Sequence, residues 1–146
     1  MALIKTINSK YSIISNREMV PVVVSEIMTY LSEHTPIEGC DCVYDIKVVL
    51  NELISNAVIH GNGEDTSKPV DINLVYDGEI LEFTIIDRGV EFTPDDKEEE
   101  KLLCESSRGI SICHILCKKL IYEFIEGRGN SAKAVFRFNR NIKGGR

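Results

Sequence analysis

Apolar residues recur every three or four positions in the first third of the chain. Val22, Val23, Ile27, Tyr30 and Leu31 make one stripe and predict a helix over Glu18–Glu33. Pro21 falls in its first turn, where the missing N–H has no partner to lose. Thr35-Pro36-Ile37-Glu38-Gly39 breaks the pattern. Ile46, Val49, Leu50, Leu53, Ala57 and Val58 then mark a second helix, from Cys42 to His60. Gly61-Asn62-Gly63 stops it, because glycine accepts the left-handed conformation of a C-cap.

The period then changes to two. Val70–Tyr76 and Ile80–Asp87 flank Asp77-Gly78, a strong hairpin signal. Upstream, Ala2–Ser15 is rich in Ile, Ser and Thr and predicts one or two opening strands. Val90–Ser107 has no periodicity and carries Pro94 and an acidic run from Asp95 to Lys101; a loop of this length is commonly functional. Gly109–Leu120 predicts an apolar helix. Ile121–Glu126 and Ala132–Asn139 predict two strands around Gly127-Arg128-Gly129-Asn130. The expected architecture is α+β: a two-layer sandwich with a mixed, mostly antiparallel sheet packed on helices. Residues 1–140 form one domain and residues 141–146 a basic tail.

Composition narrows the function. The chain has 146 residues, 43% hydrophobic, and a net charge of -6. That balance argues against nucleic acid as the main partner, since phosphate contacts need Lys and Arg. No apolar run approaches the roughly 20 residues of a membrane span, and the N-terminus lacks the apolar core of a secretory signal. A cytoplasmic protein is expected. Five cysteines, an odd number, fit reduced thiols better than a disulfide framework. Cys113, His114 and Cys117 have helical spacing, yet they lie among Ile110, Leu116 and Leu120, which favours core thiols over a metal site.

Three segments carry candidate chemistry. Glu52, Asn56 and His60 stand four apart and share one helix edge, a suitable set for magnesium and phosphate or simply a solvated face. Leu81, Phe83 and Ile85 share one strand face, and Asp87 continues it, so a carboxylate points inward and needs donors. An exocyclic amine such as that of adenine is a fitting donor; a loop cap is the ordinary alternative. Gly89 lets a flat ligand approach the backbone. Ser106-Ser107-Arg108-Gly109-Ile110-Ser111 opens a helix, whose free N–H groups suit phosphate or need only a serine cap.

Taken together, these segments resemble the Bergerat ATP-binding fold of gyrase, mismatch-repair ATPases and histidine kinases. Within it the chain is most similar to the anti-sigma factor serine kinases of partner-switching systems. The first box of that family, Glu-x-x-x-Asn-Ala-x-x-His-Gly, is matched by Glu52, Asn56, Ala57, His60 and Gly61. Asp87 and Gly89 match its Asp-x-Gly box, and Ser107-Arg108-Gly109-Ile110 corresponds to its third, glycine-rich box.

The resemblance implies ATP and Mg2+ as cofactors, with Asn56 holding the metal, Asp87 reading adenine and Glu52 acting as base toward a serine hydroxyl. His60, Gly89, Ser107, Arg108 and Gly109 complete the implied nucleotide site. The implied partners are a small antagonist protein, which is phosphorylated, and a sigma factor, held by a homodimer. Glu91 and Ser107 stand where the family has glycines, which favours an alternative: a nucleotide-dependent switch without phosphate transfer. A detached histidine-kinase catalytic domain is a further alternative, lacking here the helical hairpin that bears the accepting histidine.

Overall fold

The computed structural model describes residues 6–90, 112–113 and 115–138. The chain opens with strand β1 (Ile7–Ile14) and helix α1 (Met19–His34). After a 3-10 turn at Ile37–Gly39 comes helix α2 (Val43–Asn56), which runs on into a π turn, Ala57–Gly61. Strands β2 (Pro69–Tyr76), β3 (Ile80–Ile86), β4 (Lys119–Ile125) and β5 (Gly129–Arg137) follow. They form one five-stranded sheet in the order β1-β2-β3-β5-β4, with every pairing antiparallel.

The alternation read from the sequence sets the inner face of this sheet. Opposed residues form apolar rows: Ile72, Ile85, Ala132 and Tyr122 in one, Leu74, Phe83, Ala134 and Leu120 in the next. Against them lie the stripes of α1 (Val20, Val23, Val24, Ile27, Leu31) and α2 (Ile46, Val49, Leu50, Leu53, Ile54) in one continuous core. Each such side chain contributes roughly 1.5–3 kcal/mol on full burial. The architecture is the expected α+β sandwich.

Two expectations are corrected. The helix expected over Gly109–Leu120 ends sooner: Lys119 already pairs with Val135, and the Lys118 N–H donates to the Val135 carbonyl at 2.8 Å. An apolar run of that length suits a strand as well as a helix, and the neighbouring β5 ladder decides. Cys40 and Cys42 are not free thiols but a disulfide. The turn after the 3-10 segment brings their Cα atoms to 5.2 Å, within bridging range. Cys113 and Cys117 are buried free thiols, as expected. The 141–146 tail lies outside the described residues. Among those described, no helix is long and apolar enough to cross a membrane.

One polar side chain joins four segments. Asn62, only 4% exposed, donates through Nδ2 to Ser15 Oγ (2.8 Å) and to the carbonyls of Lys68 and Pro69 (both 3.1 Å). Its Oδ1 accepts the Arg88 N–H at 2.7 Å. The ends of β1 and the π turn, the start of β2 and the loop after β3 are thereby tied together. Asn62→Ala removes all four of these bonds, although Ser15 Oγ still donates to the Lys68 carbonyl, and is expected to lower unfolding stability by about 2–4 kcal/mol. Urea titration checks this: the midpoint falls with an unchanged m-value.

Candidate functional site

The site forms where α2 changes pitch. Within the π turn the Asn62 N–H bonds the Ala57 carbonyl five residues back, at 2.8 Å, instead of four. The wider turn brings Gly61, rather than His60, to the same recess as Asn56. That recess, about 20 Å³ in volume, is lined by Leu53, Asn56, Ala57, Gly61, Ile85, Asp87, Tyr122, Asn130 and Ala132. It has room for about one water.

Asp87 forms the floor, 5% exposed, at the end of the inward face of β3. A carboxylate so placed requires compensation. Its Oδ1 receives the Gly89 N–H at 2.8 Å, Asn130 Nδ2 at 3.0 Å and the Asn130 N–H at 3.3 Å. Asn130 Nδ2 also donates to the Val90 carbonyl at 2.7 Å. These donors fix the ring of atoms around Oδ1 and turn Oδ2 toward Gly61.

Three close backbone approaches frame the carboxylate. A Cβ on Gly61 would lie 2.1 Å from Asp87 Oδ2, and one on Gly89 would lie 1.8 Å from the Gly61 carbonyl oxygen. At Gly129, with φ at +131°, a Cβ would meet the Asp87 carbonyl oxygen at 2.0 Å. A side chain at Gly89 or Gly129 would require the backbone to move, and one at Gly61 would displace the Asp87 carboxylate. The glycines are thus a steric condition of the site.

Asn56 faces the recess from α2, beside the Tyr122 hydroxyl. The Asn56 amide pairs with that hydroxyl and works against the rise in its pKa. Burial pushes the Tyr122 hydroxyl well above its ordinary pKa, and neighbouring Cys113 adds to the rise. Burial likewise raises the Cys113 thiol to about 12, with the Glu52 charge adding to it.

The sequence-predicted residues therefore divide. Asn56 and Asp87 meet at the recess. Gly89 binds the Asp87 carboxylate through its N–H and packs on Gly61. Glu52 is half-buried and does not line the recess, and His60 is exposed outside it. Ser107, Arg108 and Gly109 lie outside the described residues, as does Glu91. Sequence reading missed Tyr122, Asn130 and Asn62. Asn130 carried a signal: it has the same parity as Ala132, Ala134 and Phe136, so it faces inward as Asp87 does.

The donor set also bears on magnesium. Among the described residues, no group of three or more His, Cys, Asp or Glu side chains could hold a metal by itself. A single amide at the mouth of a recess fits magnesium that arrives with phosphates, since that ion keeps waters and takes few protein oxygens.

A family model described as a histidine kinase-like ATPase domain matches residues 15–136, from the end of β1 almost through β5. An anti-sigma F factor from Geobacillus thermodenitrificans (strain NG80-2) is 28% identical over 97 residues. That match covers 62% of this chain and 66% of the relative, so the chain spans just under two thirds of the relative's length.

The buried acids at the site predict an alkaline limit to stability. Cys113 and Tyr122 ionise at higher pH in the folded chain than in the unfolded one, so the unfolded state loses their protons first. Their contribution is complete below pH 9, the ordinary thiol value, and is lost as pH rises toward 12. Denaturant midpoints measured from pH 8 to 11 are expected to fall, and to fall less steeply in Cys113→Ala.

Proposed function

The chain belongs to the histidine kinase-like ATPase family, and from that premise we propose that it binds Mg-ATP and phosphorylates a serine of a small antagonist protein. In this reading the chain is an anti-sigma factor of a partner-switching pathway. It works in the cytoplasm as a homodimer and holds a sigma factor until the antagonist displaces it. The similarity to an anti-sigma F factor supports the pathway. The single observation that carries nucleotide binding is the buried Asp87 carboxylate, with Oδ1 occupied by N–H donors at the floor of a recess bordered by Asn56.

Each residue has a role in this proposal. Asp87 accepts a hydrogen bond from the exocyclic amine of adenine through the oxygen that its protein donors leave over. Gly61 and Gly89 allow the flat base near the backbone. Asn56 holds magnesium through its amide oxygen. The ion neutralises phosphate charge, which together with positioning accounts for most of the catalysis of phosphoryl transfer. Ser107, Arg108 and Gly109 are proposed to hold the phosphates with backbone N–H groups and a guanidinium, and His60 flanks them. Glu52 takes the proton of the serine hydroxyl as the terminal phosphoryl group passes to that oxygen and ADP leaves.

A second reading is favoured by one observation. Glu52 does not line the recess, and a base must reach the hydroxyl directly or through one water. A chain that binds ATP without transferring phosphate would act as a nucleotide-dependent switch.

Loss of a charge-assisted hydrogen bond amounts to about 1.5–3 kcal/mol. Asp87→Asn is therefore expected to weaken Mg-ATP binding roughly 10- to 100-fold by calorimetry; unchanged affinity would remove the adenine assignment. Glu52→Gln should bind ATP as the parent protein does while phosphate transfer to the antagonist, followed with labelled ATP, ceases. Binding without transfer in the unmodified protein would establish the switch instead.

A further inference from the structure

The disulfide just before α2 lies at the edge of the core, with Cys40 inside it and Cys42 packed against it, and does not line the recess. It spans two positions, Cys40 to Cys42, and a cross-link over so short a loop restricts the unfolded chain very little. As a structural staple it therefore contributes little, while its position makes it chemically accessible from one side. Cys40 is 6% exposed, whereas Cys42 is only partly buried. Cys42 also opens onto a surface cavity of about 280 Å³ lined by Leu116, Cys117, Lys118, Phe136 and Arg137.

We propose that Cys42 is a reversible thiolation site, its bond to Cys40 exchanged by a low-molecular-weight thiol that enters this cavity. The incoming thiolate attacks Cys42 Sγ, the sulfur of the more exposed of the two residues. A new S–S bond forms, the Cys40–Cys42 bond breaks, and Cys40 leaves as a thiolate that takes up the proton lost by the attacking thiol. A second thiol then attacks the small molecule's sulfur, releases the small disulfide and leaves Cys42 reduced. In total, one protein disulfide is reduced and two thiols are oxidised to one disulfide. The reverse sequence restores the bridge.

The surroundings select Cys42 over the other sulfurs. Lys118 lines the same cavity and favours a thiolate there. Arg137 also lines it but is ion-paired with Glu79. Cys117 shares the cavity wall, yet it is buried and its Sγ donates to the Cys113 and Lys119 carbonyls, at 2.9 and 3.3 Å. Those bonds require the protonated thiol, which does not attack disulfides. Cys113 is fully buried. The exchange is thus confined to the segment that leads into α2, the helix that carries Glu52 and Asn56.

The test uses the full chain carrying Cys104→Ser, treated with glutathione and glutathione disulfide at graded ratios and read by intact and peptide mass spectrometry. The expected result at intermediate ratios is one glutathione adduct, mapped to Cys42 and reversed by excess thiol. It should survive Cys117→Ser and disappear in Cys42→Ser. With Cys40→Ser, which removes the resolving thiol, the adduct should accumulate several-fold. An adduct at Cys113 or Cys117 overturns the proposal. So does a Cys40–Cys42 bridge that resists excess glutathione in the folded protein but exchanges once the chain is unfolded in urea.

Discussion

Backbone meets backbone at one point in this protein, and the site exists because three residues there have no side chain. Gly61 lies against the Asp87 carboxylate, Gly89 against the Gly61 carbonyl and Gly129 against the Asp87 carbonyl; a Cβ on any of them would overlap its neighbour at about 2 Å. The three glycines come from the π turn after α2, the loop after β3 and the start of β5. Their approach brings a helix end and two central strands close enough to enclose a buried acid.

Close approach of this kind places polar groups where water does not reach, and two asparagines compensate for it. Asn130 gives two N–H donors to Asp87 and one to Val90, so it fixes both the acid and the loop beyond it. Asn62 satisfies two carbonyls and one hydroxyl with its amide nitrogen and an N–H with its oxygen. A buried amide uses donors and acceptors at once, which a carboxylate or a hydroxyl of similar size does less fully. The same economy explains the π turn: one extra residue in the helical repeat points Gly61 inward and leaves His60 in solvent.

Much of this was legible along the chain, for a definite reason. Helices and strands bury one face, so periods of 3.6 and 2 expose them, and α1, α2 and the β2–β3 hairpin were found within a few residues of their ends. Asp87 was legible by the same rule, as a polar residue on an apolar parity. Asn130 obeys that rule too, but it stands in a Gly-rich stretch whose turn signal masks its parity with Ala132 and Ala134. The early start of β4 was not readable, because Lys119 and Leu120 suit either state until β5 offers a ladder.

The sequence by itself thus determined the α+β sandwich, the apolar stripes and the inward acid, because burial of apolar surface is written as local periodicity. Only the tertiary structure decided which residues share the recess. Asn56, Asp87 and the hairpin that carries Tyr122 and Asn130 are far apart in the chain, and no local pattern carries their distances. The same holds for the Cys40–Cys42 bond: spacing allows a bridge, but the turn geometry that closes it comes from packing of the 3-10 segment and α2 into the common core.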